Sequence, residues 1–252
     1  HATSKLYTDD DLWNISSLGF RGEALPSIAA VSDVILKTCD GEVGTMVHIK
    51  GGKIEKVTNS EARIGTQITV TSMFYNTPAR LKHLRSPYAE LANVVEYVNK
   101  MALSYPSIKF RLTNDDKEIL NTDGSGNQLK VIKSIYGLDV AKRMLEIKNA
   151  NDDYELAGYI SLPEVTRANR NHMTILVNNR VIKNQYLNKR INDAYSSFKE
   201  DTRYPIVVIN INADPSLIDV NIHPSKQDIK FSNFEDLKVL IEDTIISTIK
   251  KK

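Results

Sequence analysis

The stretch Gly19-Phe20-Arg21-Gly22-Glu23-Ala24-Leu25 places two glycines three residues apart, where a polar lead-in gives way to an apolar run. Glycine reaches backbone angles closed to other residues and lets the main chain come close to a ligand. A helix that opens at Gly22 or Glu23 would offer the N–H groups of its first turn and its positive dipole end. The stretch therefore predicts an anion-binding loop, although a Gly-x-x-Gly turn taken alone is more often a plain connection.

The composition describes a globular chain with room for two cores. Its 252 residues are 41% hydrophobic and 25% charged, with a net charge of +2, which neither demands nor excludes a nucleic-acid partner. Cys39 is the single cysteine, so an internal disulfide and a multi-cysteine metal site are excluded. Because the sequence has neither a bilayer-length apolar run nor a signal peptide, we expect an intracellular protein with no membrane partner. The chain starts at His1 without an initiator Met, and we expect a fragment that begins inside a domain.

Hydrophobic periodicity predicts alternating helices and strands along the whole chain. In the first half we expect a helix over 23–30, strands over 34–38, 43–50, 53–57 and 66–74, a helix from Ser86-Pro87, and a hairpin over 109–120. In the second half we expect a helix over 128–136, strands near 144–148, 154–162, 173–177, 206–211 and 218–222, an amphipathic helix over 187–198, and a last helix with a Ser232–Glu235 capping box. The small polar segment 121–127 is the predicted domain boundary.

Three further features suit a phosphate site but also have plainer readings. Thr3 and Ser4 offer hydroxyls beside a lysine, yet such a loop is often only solvated. Thr66 follows a glycine at the start of a strand and could place a hydroxyl near a phosphate. The simpler interpretation is a turn glycine followed by a strand threonine. Lys226 comes just after Pro224, on a stiff turn that could direct its charge at a terminal phosphate. No Gly-x-x-x-x-Gly-Lys-Ser/Thr loop and no metal-ligand spacing occur in the sequence, so a nucleotide site here would be of another type.

Four stretches together resemble one family, the MutL family of DNA mismatch repair proteins, which belongs to the GHKL ATPases. They are His1 to Lys5, Gly19 to Leu25, Phe74-Tyr75-Asn76-Thr77-Pro78-Ala79-Arg80, and Asp219 to Lys226. The matches keep the family's order and cover nearly the whole chain. The resemblance implies an α+β two-layer sandwich, a partial GHKL ATP-binding domain over 1–120, a linker over 121–127, and a ribosomal-protein-like α/β domain over 128–252.

The resemblance also implies roles for particular residues, with ATP and Mg²⁺ as cofactors. Thr3 and Ser4 would lie in the ATP lid, Thr66 would contact nucleotide, and Lys226 would sense the γ-phosphate from the second domain. The triphosphate would be held by the backbone of Gly19, Phe20, Arg21, Gly22, Glu23 and Ala24. The stretch 74–80 would be a structural corner between a strand and a helix, with Arg80 able to pair with a carboxylate.

One departure from the family concerns its catalytic Glu, its Mg²⁺-binding Asn and its adenine-reading Asp, which lie on a segment before His1. We therefore expect the intact protein to hydrolyse ATP, and the 252-residue polypeptide alone neither to hydrolyse ATP nor to bind it tightly. We further expect the loop over 19–24 to be mobile in that polypeptide.

The family's function implies that ATP drives N-terminal dimerisation and DNA engagement, and couples a MutS-type mismatch-recognition protein to downstream repair. It implies a cytoplasmic location, or a nuclear one in a eukaryote. The DNA-binding candidates are Lys183, Lys189 and Arg190, although the family's basic position near 185 is Gln185 here. Asn178-Asn179-Arg180 stands where the family has Asn-Gly-Arg, and we expect Asn to hold the turn.

Two other interpretations stay open at the level of the sequence. The chain could be a non-catalytic DNA-binding or dimerisation module, which a lysine substitution at 226 would distinguish from an ATPase. A gyrase-like topoisomerase subunit is less favoured because it gives no reason for the Phe-Arg-Gly-Glu-Ala-Leu stretch.

Overall fold

A computed structural model describes residues 22–219 and 230–252 of the chain. The chain divides into two compact units, one up to Glu90 and one from Leu91 onward. Within the described residues, no helix is both long and apolar enough to cross a membrane.

The first unit is built on a four-stranded antiparallel sheet in the order β3-β2-β1-β4. Its elements are α1 (Ala24–Ala29), β1 (Asp33–Cys39), β2 (Gly44–Lys50), β3 (Lys53–Ser60), β4 (Gly65–Thr71) and α2 (Pro78–Lys82), followed by the start of α3 (Pro87–Ser104). Every one of the predicted strands in this part of the chain is present, with no end shifted by more than three residues.

Turn chemistry determines where these strands end. Gly51 and Gly52 join β2 to β3 with φ of 55° and 82°, the left-handed angles that a two-residue hairpin turn needs. The strand predicted over 66–74 is too long, because β4 ends at Thr71 and the chain turns at Ser72 and Phe74, whose φ values are also positive. The predicted corner over 74–80 is confirmed, since a turn there leads directly into α2.

One face of the first sheet carries apolar side chains across all four strands. Directly opposed residues of an antiparallel pair share a face, and the opposed pairs include Leu36 with Val47, Leu36 with Ile68, and Val47 with Val57. Val57 and Ile68 are 59% and 43% exposed. This set of residues is called the apolar face of the first sheet below.

The second unit is built on a five-stranded mixed sheet in the order β11-β10-β13-β8-β7. Its elements are the end of α3, β5 (Arg111–Asn114), β6 (Lys117–Asn121), α4 (Gln128–Tyr136), α5 (Leu138–Ala141), β7 (Met144–Ala150), β8 (Tyr154–Ser161), β9 (Thr166–Arg167), β10 (Met173–Val177), β11 (Arg180–Ile182), α6 (Gln185–Ala194), β12 (Tyr204–Pro205), β13 (Val207–Ala213), β14 (Ile218–Asp219), β15 (Lys230–Phe231) and α7 (Phe234–Lys250). Strands β10 and β13 are parallel, and the other pairings in this sheet are antiparallel.

Helices cover both faces of this sheet. Val207, Ile209 and Ile211 of β13 pack in one core with α6 and α7. Ile206, just before β13, and Val208 pack in a second core with the end of α3, α4 and α5. Alternation along a strand sends neighbouring side chains to opposite faces, so both cores depend on the same central strand.

Hydrogen bonds set the ends of the two helices that cover the first of these cores. Asn184 caps α6 by accepting from Leu187 N at 3.0 Å, and the buried Tyr195 hydroxyl, just after α6, donates to Ser161 O at 2.6 Å. The predicted Ser232 capping box of α7 is wrong, because Asn233 is the N-cap residue and makes no side-chain cap bond. Ser232 N instead donates to Leu217 O at 2.9 Å, which holds Ser232 outside the helix.

The polar segment 121–127, predicted as the domain boundary, lies inside the second unit. Leu120, directly before it, is buried with Leu103 of α3 and Ile132 of α4, and Thr122 Oγ1 accepts from Phe110 N at 2.8 Å. The two compact units divide near the start of α3 because the end of that helix belongs to the core of the second unit.

Candidate nucleotide and nucleic-acid sites

Most residues of the predicted nucleotide site lie outside the described residues. They are Thr3, Ser4, Gly19, Phe20, Arg21 and Lys226. Gly22, Glu23, Ala24 and Thr66 lie within the described part.

Gly22, Glu23 and Ala24 lie at the start of α1, as the sequence predicted. Gly22 is in a turn, Glu23 is the N-cap residue, and α1 runs over the six residues Ala24–Ala29. The Glu23 side chain makes no cap hydrogen bond, and helix geometry leaves the N–H groups of Ala24 and Leu25 without partners inside the helix. These two backbone groups are the ones that an anion at this helix end could accept from.

Thr66 lies near the start of β4, directly opposite Thr38 of β1. Its hydroxyl is 2.9 Å from the Thr38 hydroxyl, and the pair is exposed to solvent. Thr38 is near the end of β1, whereas α1 lies before the start of β1 at Asp33. Asp33 and Thr38 are five residues of strand apart, about 17 Å. Thr66 therefore pairs with the end of β1 that is farther along the chain from α1.

No group of three or more His, Cys, Asp or Glu side chains among residues 22–219 and 230–252 could hold a metal ion. We therefore assign no Mg²⁺ ligand within these ranges.

A cleft of about 560 Å³ opens in the second unit beside α6. Its lining residues are Arg170, Met173, Lys183, Asn184, Gln185, Tyr186, Asn188, Lys189, Asn192 and Tyr204. Three of these ten residues are cations and none is an acid. The cleft is therefore a positively charged concavity, the kind of surface that attracts phosphates.

The structure brings together two of the three predicted DNA-binding residues and adds one that the sequence analysis missed. Lys183, Lys189 and Arg170 line the cleft, and none of them takes part in the ion pairs found among the described residues. Arg170 was missed because it lies in a short 3-10 turn, Arg170–His172, well before α6 in the chain. Only its place in the fold joins it to the two lysines.

Arg190 does not line the cleft, although it follows Lys189 directly. A hydrogen bond from Lys238, and then the positive charges of Lys238 and Arg190, hold the pKa of Glu235 on α7 below its ordinary value. Successive residues of a helix point about 100° apart, so the side chains of Lys189 and Arg190 lie on different sides of α6. The predicted set of three cations is therefore not a single cluster.

Asparagines four residues apart form a stripe on the cleft side of α6. They are Asn184, which caps the helix, Asn188 and Asn192. The Oδ1 atoms of Asn188 and Asn192 are buried and have no hydrogen-bond partner among the described residues. Buried acceptors of this kind are uncommon in folded proteins.

An aromatic row lies beside the same helix. The Tyr186 ring is 6.4 Å from the Phe234 ring in an edge-on arrangement, and Phe234 stacks on Phe231 at 5.8 Å. Tyr186 is nevertheless 72% exposed, so most of its ring is open to solvent at the edge of the cleft.

The turn over Asn178 and Asn179 holds as predicted. Both residues have positive φ, 48° and 63°, and they join β10 to β11 in the manner of an Asn-Gly hairpin. Asn179 also exchanges hydrogen bonds with Asn210 of β13, at 3.1 Å each way. Asparagine thus holds both central positions of this turn, as expected.

Desolvation by burial lowers the pKa of His172, which ends the 3-10 turn that carries Arg170. Its ring meets the Tyr136 ring edge-on at 5.7 Å, and burial likewise raises the pKa of Tyr136 to about 12. Arg167 and Lys100 lower the pKa of His172 further, while Glu96 opposes them. The neutral form of His172 is therefore favoured on this 3-10 turn.

Comparison with known proteins identifies the family. A family model described as DNA mismatch repair protein, C-terminal domain, matches residues 132–250. The DNA mismatch repair protein MutL of Lactiplantibacillus plantarum is 49% identical over 245 residues, which is 97% of this chain and 36% of that protein. The MutL protein of Streptococcus thermophilus is also 49% identical over 254 residues, which is 100% of this chain and 39% of that protein. The chain thus spans less than half the length of these curated relatives.

Solved structures show the same fold. The crystal structure of the N-terminal domain of a DNA repair protein matches with a TM-score of 0.77 at 25% identity, over 97% of this chain and 82% of that one. The Aquifex aeolicus MutL ATPase domain complexed with ADP matches with a TM-score of 0.65 at 18% identity, over 93% of this chain and 80% of that one. The predicted fold class is confirmed, and the chain belongs to the MutL family of DNA mismatch repair proteins.

Proposed function

We propose that the chain is part of a DNA mismatch repair ATPase of the MutL type, in which ATP binding and hydrolysis control dimerisation through this region and engagement of DNA. The observation that carries the proposal is identity of 49% to MutL relatives over 97–100% of the chain. The structural likeness to an ADP-bound MutL ATPase domain supports the fold on which such a site is built.

The residues present fit the phosphate side of a nucleotide site. The start of α1 offers the backbone N–H groups of Ala24 and Leu25 after Gly22, and amides at a helix start suit an anion. Glu23 contributes its backbone to this turn. ATP, when bound with Mg²⁺, would supply the free energy that shifts the protein between open and dimeric states. Thr3, Ser4, Gly19, Phe20, Arg21, Thr66 and Lys226 complete the proposed site.

Substitution of Lys226 tests the ATPase proposal. In the intact protein, Lys226→Ala should lower the rate of ATP hydrolysis by about tenfold or more. The substitution removes a lysine whose positive charge would stabilise the phosphoryl group during its transfer. The measurement is steady-state phosphate release, with calorimetry for nucleotide affinity. Lys142→Ala, which removes an exposed lysine outside the cleft, should leave both values unchanged.

An unchanged hydrolysis rate in Lys226→Ala, with nucleotide still bound, would remove Lys226 from the proposed site. Absence of any hydrolysis in the intact wild-type protein would favour the alternative, a non-catalytic DNA-binding or dimerisation module.

The charged cleft supports DNA as a partner. Arg170, Lys183 and Lys189 are three cations with no acid in the same lining, and phosphate contacts from such groups are independent of base sequence. We propose that the protein binds DNA there and acts with a second copy of itself and a MutS-type protein in the cell's DNA-containing compartment.

A further inference from the structure

We infer that Asn76 is a positioning residue for the proposed nucleotide site: its side chain holds the end of α1 and so fixes the backbone of residues 22–24. The inference rests on the proposed ATPase function and makes it more specific. Residues 22–24 lie at the start of α1, and Asn76 Nδ2 donates to the carbonyl of Ala30, the residue that follows the end of this helix. The corner over 74–80, expected to be structural, thereby has a part in the reaction.

Donors from two other segments of the first unit hold the C-terminal end of α1. A helix leaves its last carbonyls without partners inside the helix, yet here five consecutive carbonyls, from Ile28 to Ser32, all accept hydrogen bonds. In that order, the donors are Ser32 Oγ at 2.6 Å, Gly52 N at 2.8 Å, Asn76 Nδ2 at 2.9 Å, Phe74 N at 2.6 Å and Gly51 N at 3.0 Å. The end of α1 is therefore fastened both to the Gly51-Gly52 turn and to the corner over 74–80.

Asn76 is the donor in this set that a substitution can remove with least disturbance. The three backbone donors persist in any substitution that leaves the main chain in place. Ser32 also donates through its side chain, but it is fully buried and bonds to a carbonyl four residues before it. Asn76 is exposed and joins α1 to a segment 46 residues away. Loss of its amide therefore loosens α1 without creating a cavity.

Hydrogen bonds continue from Asn76 to the start of α1. The Asn76 amide holds the carbonyl of Ala30, whose own N–H donates to Pro26 O at 2.9 Å. One residue after Pro26, Ser27 N donates to Glu23 O at 3.0 Å. A helix of six residues is about 9 Å long, so a shift at its end displaces its start as well. Misplacement of a positioning group by about 1 Å can lower activity by about 100-fold.

The corner that carries Asn76 fits closely against the turn that holds the same helix end. A Cβ added at Gly51 would lie 2.6 Å from Tyr75 Oη and 3.6 Å from Asn76 Nδ2. A Cβ added at Gly52 would lie 3.5 Å from Ala30 Cα. Asn76 is thus placed by its neighbours, as a positioning role requires.

Substitution of Asn76 in the intact protein tests the inference. Asn76→Ala removes the donor, and Asn76→Asp keeps the shape but replaces the amide by a carboxylate that only accepts. We expect the dissociation constant for a non-hydrolysable ATP analogue to rise by about 3- to 10-fold in Asn76→Ala, and by at least as much in Asn76→Asp. Calorimetry would measure it, and the KM for ATP hydrolysis should rise as well.

The matched control is Asn59→Ala. Asn59 is an exposed asparagine of the same sheet, near the end of β3 that lies opposite the Gly51-Gly52 turn. This substitution should leave the dissociation constant and the KM unchanged.

The split between affinity and the amount of active protein separates positioning from a purely structural role. If Asn76 only stabilised the fold, its loss would lower the folded fraction, and with it the apparent kcat and the calorimetric stoichiometry. The dissociation constant of the folded protein would then stay at the wild-type value, which would overturn the inference. Adenosine has no phosphate, so its affinity, measured by competition with the analogue, should be the same in wild type and Asn76→Ala. An equal loss for adenosine and the ATP analogue would also overturn the inference.

Hydrogen exchange followed by mass spectrometry gives a second measurement, which needs no nucleotide. Deuterium uptake over 22–30 should rise in Asn76→Ala and in Asn76→Asp, and not in Asn59→Ala. Unchanged uptake in both Asn76 variants would overturn the inference. Thermal melting would show whether either variant is unfolded, and Asn76→Asp, which conserves the shape of the side chain, serves if Asn76→Ala is.

The outcomes also separate the inference from the proposed function. Absence of ATP binding by the intact wild-type protein would overturn the proposed function, and the inference with it. Normal binding by the wild type, with wild-type dissociation constants in both Asn76 variants, would overturn the inference alone.

Discussion

The four-stranded sheet of the first unit and the five-stranded sheet of the second differ in what covers them. In the second unit, β13 has helices against both faces, and Val207, Val208 and Ile209 are fully buried. In the first unit, the apolar face of the first sheet leaves Val57 and Ile68 exposed by 59% and 43%. Apolar residues of the central strand are therefore buried in the second unit, whereas apolar residues of the first sheet remain open.

This difference shows where the stability of the described chain resides. Burial of apolar area is the main favourable contribution to folding, and both extended hydrophobic cores of the described residues lie in the second unit. We expect the second unit to tolerate core changes poorly and the first sheet to tolerate them well. Two matched pairs of substitutions and one pH experiment address that expectation.

The largest effect should come from adding one methyl group to the central strands of the second unit. In Gly158→Ala the new Cβ would lie 2.0 Å from Val208 O, and Gly158 has a φ of 144°. Because backbone must move, we expect a loss of more than about 4 kcal/mol in the free energy of unfolding. Urea denaturation followed by far-UV circular dichroism would measure it.

The control in the first unit is Gly65→Ala. Nothing lies within 4 Å of the added Cβ, although φ is 119°, so only backbone strain of about 1–3 kcal/mol is expected. Equal losses for the two substitutions would remove the distinction between the two sheets.

The next effect concerns the cores directly. Ile209→Ala empties a fully buried position in β13 and should lower the free energy of unfolding by about 2–5 kcal/mol. Ile68→Ala, at a 43% exposed position of β4, should lower it by about 1 kcal/mol or less. Hydrogen exchange followed by mass spectrometry would assign each loss to its unit. A larger loss at Ile68 than at Ile209 would mean that the apolar face of the first sheet is covered.

The smallest effect should be a pH dependence confined to the second unit. The folded-state pKa of His172 is lowered from 6.5, so the unfolded chain binds more protons just below that pH. The contribution of His172 to the free energy of unfolding should therefore be fully present above about pH 6.5. It should be lost as the pH drops through the folded-state pKa. His172→Gln should flatten this dependence, as denaturation between about pH 5 and pH 7.5 would show. An identical slope in the variant would assign the dependence to other groups.

Local patterns predicted the elements of this chain well because local chemistry determines them. The helix over 128–136 and the strand over 173–177 were predicted with the bounds that α4 and β10 have. The turns at Gly51-Gly52 and Asn178-Asn179 were also predicted, since they need residues that tolerate positive φ. The four quoted motifs were enough to recognise the family, which the relatives confirm.

The sequence by itself thus determined most of the longer helices and strands, the fold class and the family, all of which depend on residue order and spacing. Only the tertiary structure decided which cations share a surface, because the fold brings Arg170 into the same cleft as Lys183 and Lys189, while Arg190 does not line it. It also decided which apolar strand faces are buried. Periodicity shows that a face is apolar, but burial requires a second element, and sequence spacing carries no record of where that element lies.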